Sequence, residues 1–420
     1  MDRKSIGGYI KNLTTYFGAS LLPMVLNLVT NPWIALNMDP EDYAVSGYYG
    51  SYSSLISPII IFYLVHYYIK EYFRRDVEER ERLYATVAKA TIWFSGLLSV
   101  LCFVCLLLYL TCIKTDFAFP ILPYLALVVF ACPLSGLMNL RLARYRMEKK
   151  ANAFFVLSAA NGLLGVALTF LLVVWLKLGA LGKLAGPFLG ALTIFCVMLW
   201  RFRGVLRTRT SLADFRKIFI FCLPLTASAT LGYFTNGFST TYLESLGQTS
   251  EYGVYIVGVS IGTYLSVFGT AIGNTFQPDL YESVIKRQWN RYVRVIATEL
   301  VMLTVVVGVF ILVTPFVIGI LTAGRYMAAT PYARIVALST LTSNIYYLIN
   351  QYSIATDRPR LYLYTSILGS VAIVCSIGWF VGRWSFAGGA WLTVVSFLIF
   401  SVINLLLLFV SSRKGQYSGK

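Results

Sequence analysis

The chain has 420 residues, of which 58% are hydrophobic and only 13% charged, with a formal net charge of +17 and a mean hydropathy of +0.71. A water-soluble fold cannot bury that much apolar surface, and soluble domains carry roughly 25% charged residues, so lipid must solvate most of this chain. Disordered, collagen-like and small disulfide-framework proteins are excluded together, and the basic excess has a source other than nucleic-acid binding.

About twelve apolar segments follow one another, each near the ~20 residues that cross a ~30 Å hydrocarbon core. Lipid offers no hydrogen-bond partners, so each must close its own backbone bonds as a helix. The ~10-residue alternating stretches of a β-barrel are not seen. The first segment, 9–35, follows Met1-Asp-Arg-Lys-Ser5 without a small-residue cleavage site, which reads as a transmembrane helix and not a removed leader. Along it Tyr16, Ser20, Pro23, Asn27 and Asn31 recur at three- and four-residue steps, which makes one polar helical face. The second, 43–69, carries Tyr48, Tyr49 and Tyr52 toward one end, and His66 among Tyr63, Tyr67 and Tyr68 toward the other. The third, 84–112, holds Lys89 a turn or two inside, and the fourth, 117–140, runs into Arg141 and Arg144. Segments 153–176 and 180–202 are the fifth and sixth of the series. The seventh, 216–242, aligns Ser228, Gly232, Thr235 and Ser239, and the eighth, 252–278, aligns Ser260, Thr263, Thr270, Asn274 and Gln277 before Pro278. Glu299 lies about two turns into the ninth, 293–322. Arg334 stands near the outer end of the tenth, 328–352, and segments 361–382 and 387–411 complete the series.

Lysine and arginine positions orient the series. With the N-terminus in the cytoplasm, 28 of the 35 cations fall in cytoplasmic segments. The opposite loops hold only Lys114, Lys177, Lys183, Arg325 and Arg383. Both termini are therefore expected in the cytoplasm, with the charge marking topology and attracting anionic headgroups.

The two halves repeat at a near-constant offset. Tyr84 and Tyr292, and likewise Pro123-Tyr124 and Pro331-Tyr332, stand 208 residues apart. Asp42-Tyr43 and Glu251-Tyr252 differ by 209, and Gly182 and Gly389 by 207. Six helices per copy is an even number, so both copies insert the same way round, as a parallel repeat. The expected fold is thus an all-α polytopic membrane protein of about 12 helices in two parallel six-helix bundles, 1–205 and 206–420, joined at the Arg-rich stretch from Arg201 to Lys217.

Enzyme chemistry finds no footing. His66 is the only histidine, so a histidine metal site or a triad of the usual form cannot be assembled. A phosphate-binding GxxxxGK[ST] stretch is absent as well. The seven cysteines lie in or beside apolar spans and read as small hydrophobes. No cofactor and no metal are expected. Ionisable groups inside the membrane are costly and so mark function by default. Lys89 reads equally as a snorkelling cation and as a binding group. Glu299 falls opposite Thr91 in the repeat register, two positions from Lys89, and reads as a partner of it or as an anchor. His66 fits an interfacial aromatic belt more readily than a proton relay. The polar stripes of the first two spans of each half can line a water-filled cleft; their bland reading is glue between helices. Pro23, Pro58, Pro224 and Pro278 supply bending points in those spans.

Local sequence resembles the bacterial O-antigen and capsule repeat-unit flippases of the multidrug/oligosaccharidyl-lipid/polysaccharide exporter superfamily. The likeness is carried by Thr15-Tyr-Phe-Gly-Ala-Ser-Leu-Leu-Pro23, Glu41-Asp-Tyr-Ala44, Glu251-Tyr-Gly-Val-Tyr255 and Phe276-Gln-Pro278. The resemblance implies that spans one, two, seven and eight line a cavity between the halves. It also implies alternating-access transfer of an undecaprenyl-diphosphate-linked oligosaccharide across the bacterial inner membrane. The substrate-binding candidates are then Asn27, Asn31, Tyr48, Tyr52, Lys89, Arg141, Arg144, Thr235, Asn274, Gln277 and Arg334. His66 and Glu299 are the candidates for coupling to a proton or sodium ion. Membrane lipids are expected partners, and nucleic acid is not. The alternative within the superfamily is cation-coupled export of drugs or other small molecules. Many such exporters carry an acidic residue in the first helix, where this chain offers only Asn27 and Asn31.

Overall fold

The computed structural model describes residues 18, 22–72, 75–114, 119–148, 150–201, 212–355 and 360–417. Every regular element among them is helical. By spatial grouping the chain forms two compact units, Met1–Thr230 and Leu231–Lys420. Among the described residues eight helices are long and apolar enough to span a membrane, or nine if one bent pair is counted as a span.

The first unit begins with α1 (Leu22–Leu36) and α2 (Pro40–Ile61). Pro40 at the first helical position of α2 supplies a preset φ where no N–H is needed. Asp42 caps two helices at once. Its Oδ2 accepts the Asp39 N–H at 3.1 Å, and its Oδ1 accepts the Ala180 N–H at 2.9 Å. Nearby, the Lys183 ammonium lies 3.9 Å above the Tyr43 ring. The second span does not run straight. It breaks at Phe62 and Tyr63, with φ of 53° and 50°, before resuming as α3 (Leu64–Tyr72) at a 47° bend. Pro58 lies one turn earlier, inside the intact helix, so the hinge expected at that proline falls four residues later. Two successive non-glycine residues in the left-handed region cost of order 1–3 kcal/mol each and persist only where packing holds them.

There follow α4 (Val77–Leu108, ending in a π turn at Tyr109–Ile113), α5 (Tyr124–Met147), α6 (Ala151–Phe170, with a π turn at Leu171–Trp175), α7 (Gly179–Arg201) and α8 (Leu212–Leu231). Helices α6 and α7 approach closely because α7 presents Gly182, Gly186 and Gly190 four residues apart. A β-carbon on Gly190 would lie 2.9 Å from the Gly165 nitrogen. In lipid, where apolar surface gains nothing by hiding, such backbone approach is a main source of helix association.

The second unit holds α9 (Tyr233–Asn236), α10 (Phe238–Leu243), α11 (Thr249–Thr263), α12 (Leu265–Ile285), α13 (Trp289–Leu321) and α14 (Thr330–Ala355). The run Arg360–Tyr417 is interrupted at Ser385, with φ 49° and ψ −130°, giving α15 (360–384) and α16 (386–417). The seventh expected span is thus cut at Gly232 and Gly237, and the eighth between Thr263 and Leu265. Counted by span, the helices reproduce the twelve segments, but several ends are displaced by seven residues. The third span begins at Val77 where 84 was expected, the fourth covers Tyr124–Met147 where 117–140 was expected, and the eighth ends at Ile285 where 278 was expected. The beginning of the first lies outside the described residues.

Candidate functional site

In the first unit, the break in the second span forms the wall of a pocket of about 560 Å³. The Phe62 ring stacks on Phe219 at 5.1 Å and meets Phe94 edge-on at 4.9 Å. Around these sit Trp93, Leu97, Phe215 and Ile218. Two cations from different helices join the lining, Lys89 of α4 and Arg216 of α8, and among the described residues no carboxylate does. Trp93 is 78% exposed and Leu97 58%, so one side of the pocket opens outward. An aromatic slot with cations set beside it suits an amphiphile that joins an anionic head to an apolar chain. Lys89 was legible in the sequence. Arg216 counted there only as a topology marker, because its place beside Lys89 depends on packing between residues 127 positions apart.

The other basic candidates are held by protein groups. Arg144 pairs with Glu81 through both terminal nitrogens, its Nε meets Glu148 Oε1, and its guanidinium lies 4.5 Å above the Tyr84 ring. Lys150 closes the cluster at 2.7 Å from Glu148 Oε2. Burial acts to raise the Glu148 carboxyl, but the hydrogen bonds from Lys150 and Arg144 outweigh it and hold the group below its ordinary range. Arg141 lies 4.6 Å above the Tyr145 ring. Arg334, near the end of its span, donates its Nε–H to the Ile311 carbonyl at 3.1 Å. Pro315 explains this. It lacks the N–H that would bond the carbonyl four residues back.

The polar candidates divide similarly. Asn27 donates to the Pro23 carbonyl at 2.9 Å, within its own helix, and Asn31 is half-buried on the same helix. Tyr48 and Tyr52 are buried, hydroxyl to hydroxyl at 2.9 Å, with Lys114 donating to Tyr48 and the Phe119 ring meeting it edge-on at 5.7 Å. Protein side chains, not an open cavity, surround them in this state. Thr235 is buried and donates to the Gly232 carbonyl at the break in the seventh span. His66 is exposed just after the Phe62–Tyr63 break, its ring 4.7 Å from that of Tyr63. The side chains of Asn274 and Gln277, like Tyr16 and Ser20 and most of the Arg201–Lys217 join, lie outside what is described.

The second unit carries buried polar groups besides the expected Glu299. Asn404 donates to Asn350 Oδ1 at 2.7 Å and accepts from Ser353 at 3.4 Å, all three buried. Glu299 is 1% exposed, and its Oε2 has no hydrogen-bond partner. Asn350 and Asn404 interrupt apolar spans, so the same test that flagged Glu299 would have found them.

The helical framework has the fold of transporters of the MOP superfamily. The structure matches a multidrug resistance MATE family transporter of that superfamily in its inward-facing conformation, at TM-score 0.72 and 12% identity, over 96% of this chain and 99% of that one. It also matches a MOP superfamily transporter from Pyrococcus furiosus at TM-score 0.64 and 12% identity, over 98% and 96% of the two chains. A MATE transporter mutant from Vibrio cholerae aligns at TM-score 0.59 and 14% identity, over 97% of each. All three of these solved proteins are described as transporters. Residues 9–278 match the sequence pattern of the polysaccharide biosynthesis protein family, and the chain belongs to that family. No curated protein sequence matches it.

Proposed function

We propose that the protein flips undecaprenyl-diphosphate-linked oligosaccharide repeat units across the bacterial inner membrane by alternating access. Membership of the polysaccharide biosynthesis family supports the glycan, and the transporter fold supports movement. The observation that carries the lipid part is the pocket of the first unit. Lys89 and Arg216 offer the diphosphate two cations, and the slot around Phe62, Phe94 and Phe219 takes part of the isoprenoid chain. Asn27, Asn31, Thr235, Asn274 and Gln277 are the polar side chains proposed for the sugars. Tyr48 and Tyr52 join them only if their packing opens during the cycle. Arg141, Arg144 and Arg334 stabilise helix contacts in the state seen here. Both termini lie in the cytoplasm in this reading, the halves 1–205 and 206–420 alternate, and a proton or sodium ion drives the step.

Cells without the protein should accumulate the lipid-linked glycan on the cytoplasmic leaflet and lose it from the surface, with recovery on expression in trans. Normal surface glycan in those cells sinks the reading. Export of small molecules coupled to a cation is the second reading, favoured by the multidrug MATE transporters among the structural matches. It predicts that reconstituted protein moves organic cations and ignores lipid diphosphates.

A further inference from the structure

The 208-residue register extends into three dimensions. In the first unit, Ile61 at the end of α2 and Thr91 of α4 close on Gly136 of α5. A β-carbon on Gly136 would lie 3.2 Å from Thr91 Cγ2 and 3.8 Å from Ile61 Cγ1. Adding 208 to these three positions gives Gly269, Glu299 and Asn344. In the second unit they gather at one junction of α12, α13 and α14. A β-carbon on Gly269 would lie 2.7 Å from Asn344 Nδ2, and one on Gly273 would lie 3.5 Å from both Asn344 Oδ1 and Glu299 Oε1. A second pair behaves alike. Arg144 lies over Tyr84 in the first unit, and at the matching positions the rings of Tyr352 and Tyr292 meet at 5.9 Å. The same three-helix junction is therefore apolar and filled in one unit, and polar in the other, where glycine replaces isoleucine and leaves room.

Glu299 sits about 15 Å along α13 from its start, at 1.5 Å per residue. The Asn344 amide donates to the Thr340 carbonyl at 2.6 Å, which turns its Oδ1 toward Gly273 and the carboxyl. At the junction the Glu299 carboxyl and the Asn344 amide oxygen converge on Gly273, and Asn344 and Thr340 crowd Gly269; none of these groups is titratable apart from the carboxyl itself. On its own helix the nearest charges are Arg294 and Arg291, five and eight residues earlier. An ionised carboxylate without a donor in a dry membrane interior is strongly disfavoured. A metal cation would need a shell of several oxygens, and only the carboxyl and one amide oxygen are seen to converge on Gly273. One proton satisfies the same charge with no further ligand.

We propose that Glu299 is a protonation site. Its carboxyl is held as the neutral acid in the closed junction, and it passes its proton to water when α12, α13 and α14 part. On the transport reading this proton is the coupling ion, and the site would make transfer depend on pH; the protonation itself does not rest on that reading. The test is infrared difference spectroscopy on the full chain in lipid nanodiscs. A protonated-carboxyl band should be present at neutral pH, should disappear as pH is raised, and should be missing from Glu299→Gln. The triple variant Gly269→Ile, Glu299→Thr, Asn344→Gly copies the first unit's junction and should also lack the band while remaining folded, which covers failure of the single variant to fold. A band that neither variant removes, or one unresponsive to pH, overturns the proposal. The band needs no substrate, so it survives if the glycan reading fails.

Discussion

Replacing Lys89 and Arg216 by glutamine, singly and together, tests the pocket as a site for a lipid phosphate. A basic side chain near an anionic lipid headgroup contributes about 1 kcal/mol. Each single change should then weaken binding roughly 5-fold, and the pair, at about 2 kcal/mol, roughly 30-fold. The aromatic wall of Phe62, Phe94 and Phe219 remains in all three variants, so a polyprenyl alcohol of equal length should bind them like the parent. Trp93 lines the same pocket and is 78% exposed, so its emission reports occupancy, with Trp93→Phe identifying its share of the signal. Titration of nanodisc-embedded protein with polyprenyl diphosphate and with the alcohol separates charge from chain. Unchanged diphosphate affinity in the double variant, or an equal loss for the alcohol, would refute the assignment of the two cations to the headgroup.

The clamp of Arg144 with Glu81 and Glu148 should behave as a structural latch. Arg144→Gln should lower the thermal midpoint while leaving lipid binding at Lys89 and Arg216 intact, as read by melting and the same titration. Because the Glu148 carboxyl is held below its ordinary range, its contribution is fully present above the unfolded value of about 4.3 and is lost as pH falls through the folded value. The parent should therefore lose stability on acidification below about pH 4, and Arg144→Gln should lose less over that window. In the second unit, Asn404→Leu strands the buried Asn350 and Ser353 groups. A loss of about 1 kcal/mol is expected, near the upper part of what membrane hydrogen bonds measure, and a change to Asn350→Leu in the same chain should cost less than the sum of the two.

How much of this was readable beforehand differs by level. Helix number and approximate ends followed from hydropathy, because lipid forces each crossing segment to satisfy its own backbone. The Phe62–Tyr63 break did not follow, since the visible signal was Pro58, and the left-handed Phe62 packs there against Phe94 and Phe219. Single charges inside spans were also visible, as with Lys89 and Glu299. Their partners were not. By register Glu299 reads as a partner of Lys89 or as an anchor; what spacing could not give is the surroundings of each within its own unit, the pocket with Arg216 for Lys89 and the Gly273–Asn344 junction for Glu299.

Composition by itself determined that the chain lives in lipid, that it crosses about twelve times, and that its halves repeat every 208 residues or so. These are properties of length, hydropathy and spacing, which act locally along the chain. Only the tertiary structure decided that equivalent junctions are apolar at Gly136 and polar at Asn344, and that Arg334 answers the carbonyl freed by Pro315. Helix faces in lipid are chosen by close backbone approach and buried hydrogen bonds between distant segments, and periodicity along one helix carries no record of which neighbour it meets.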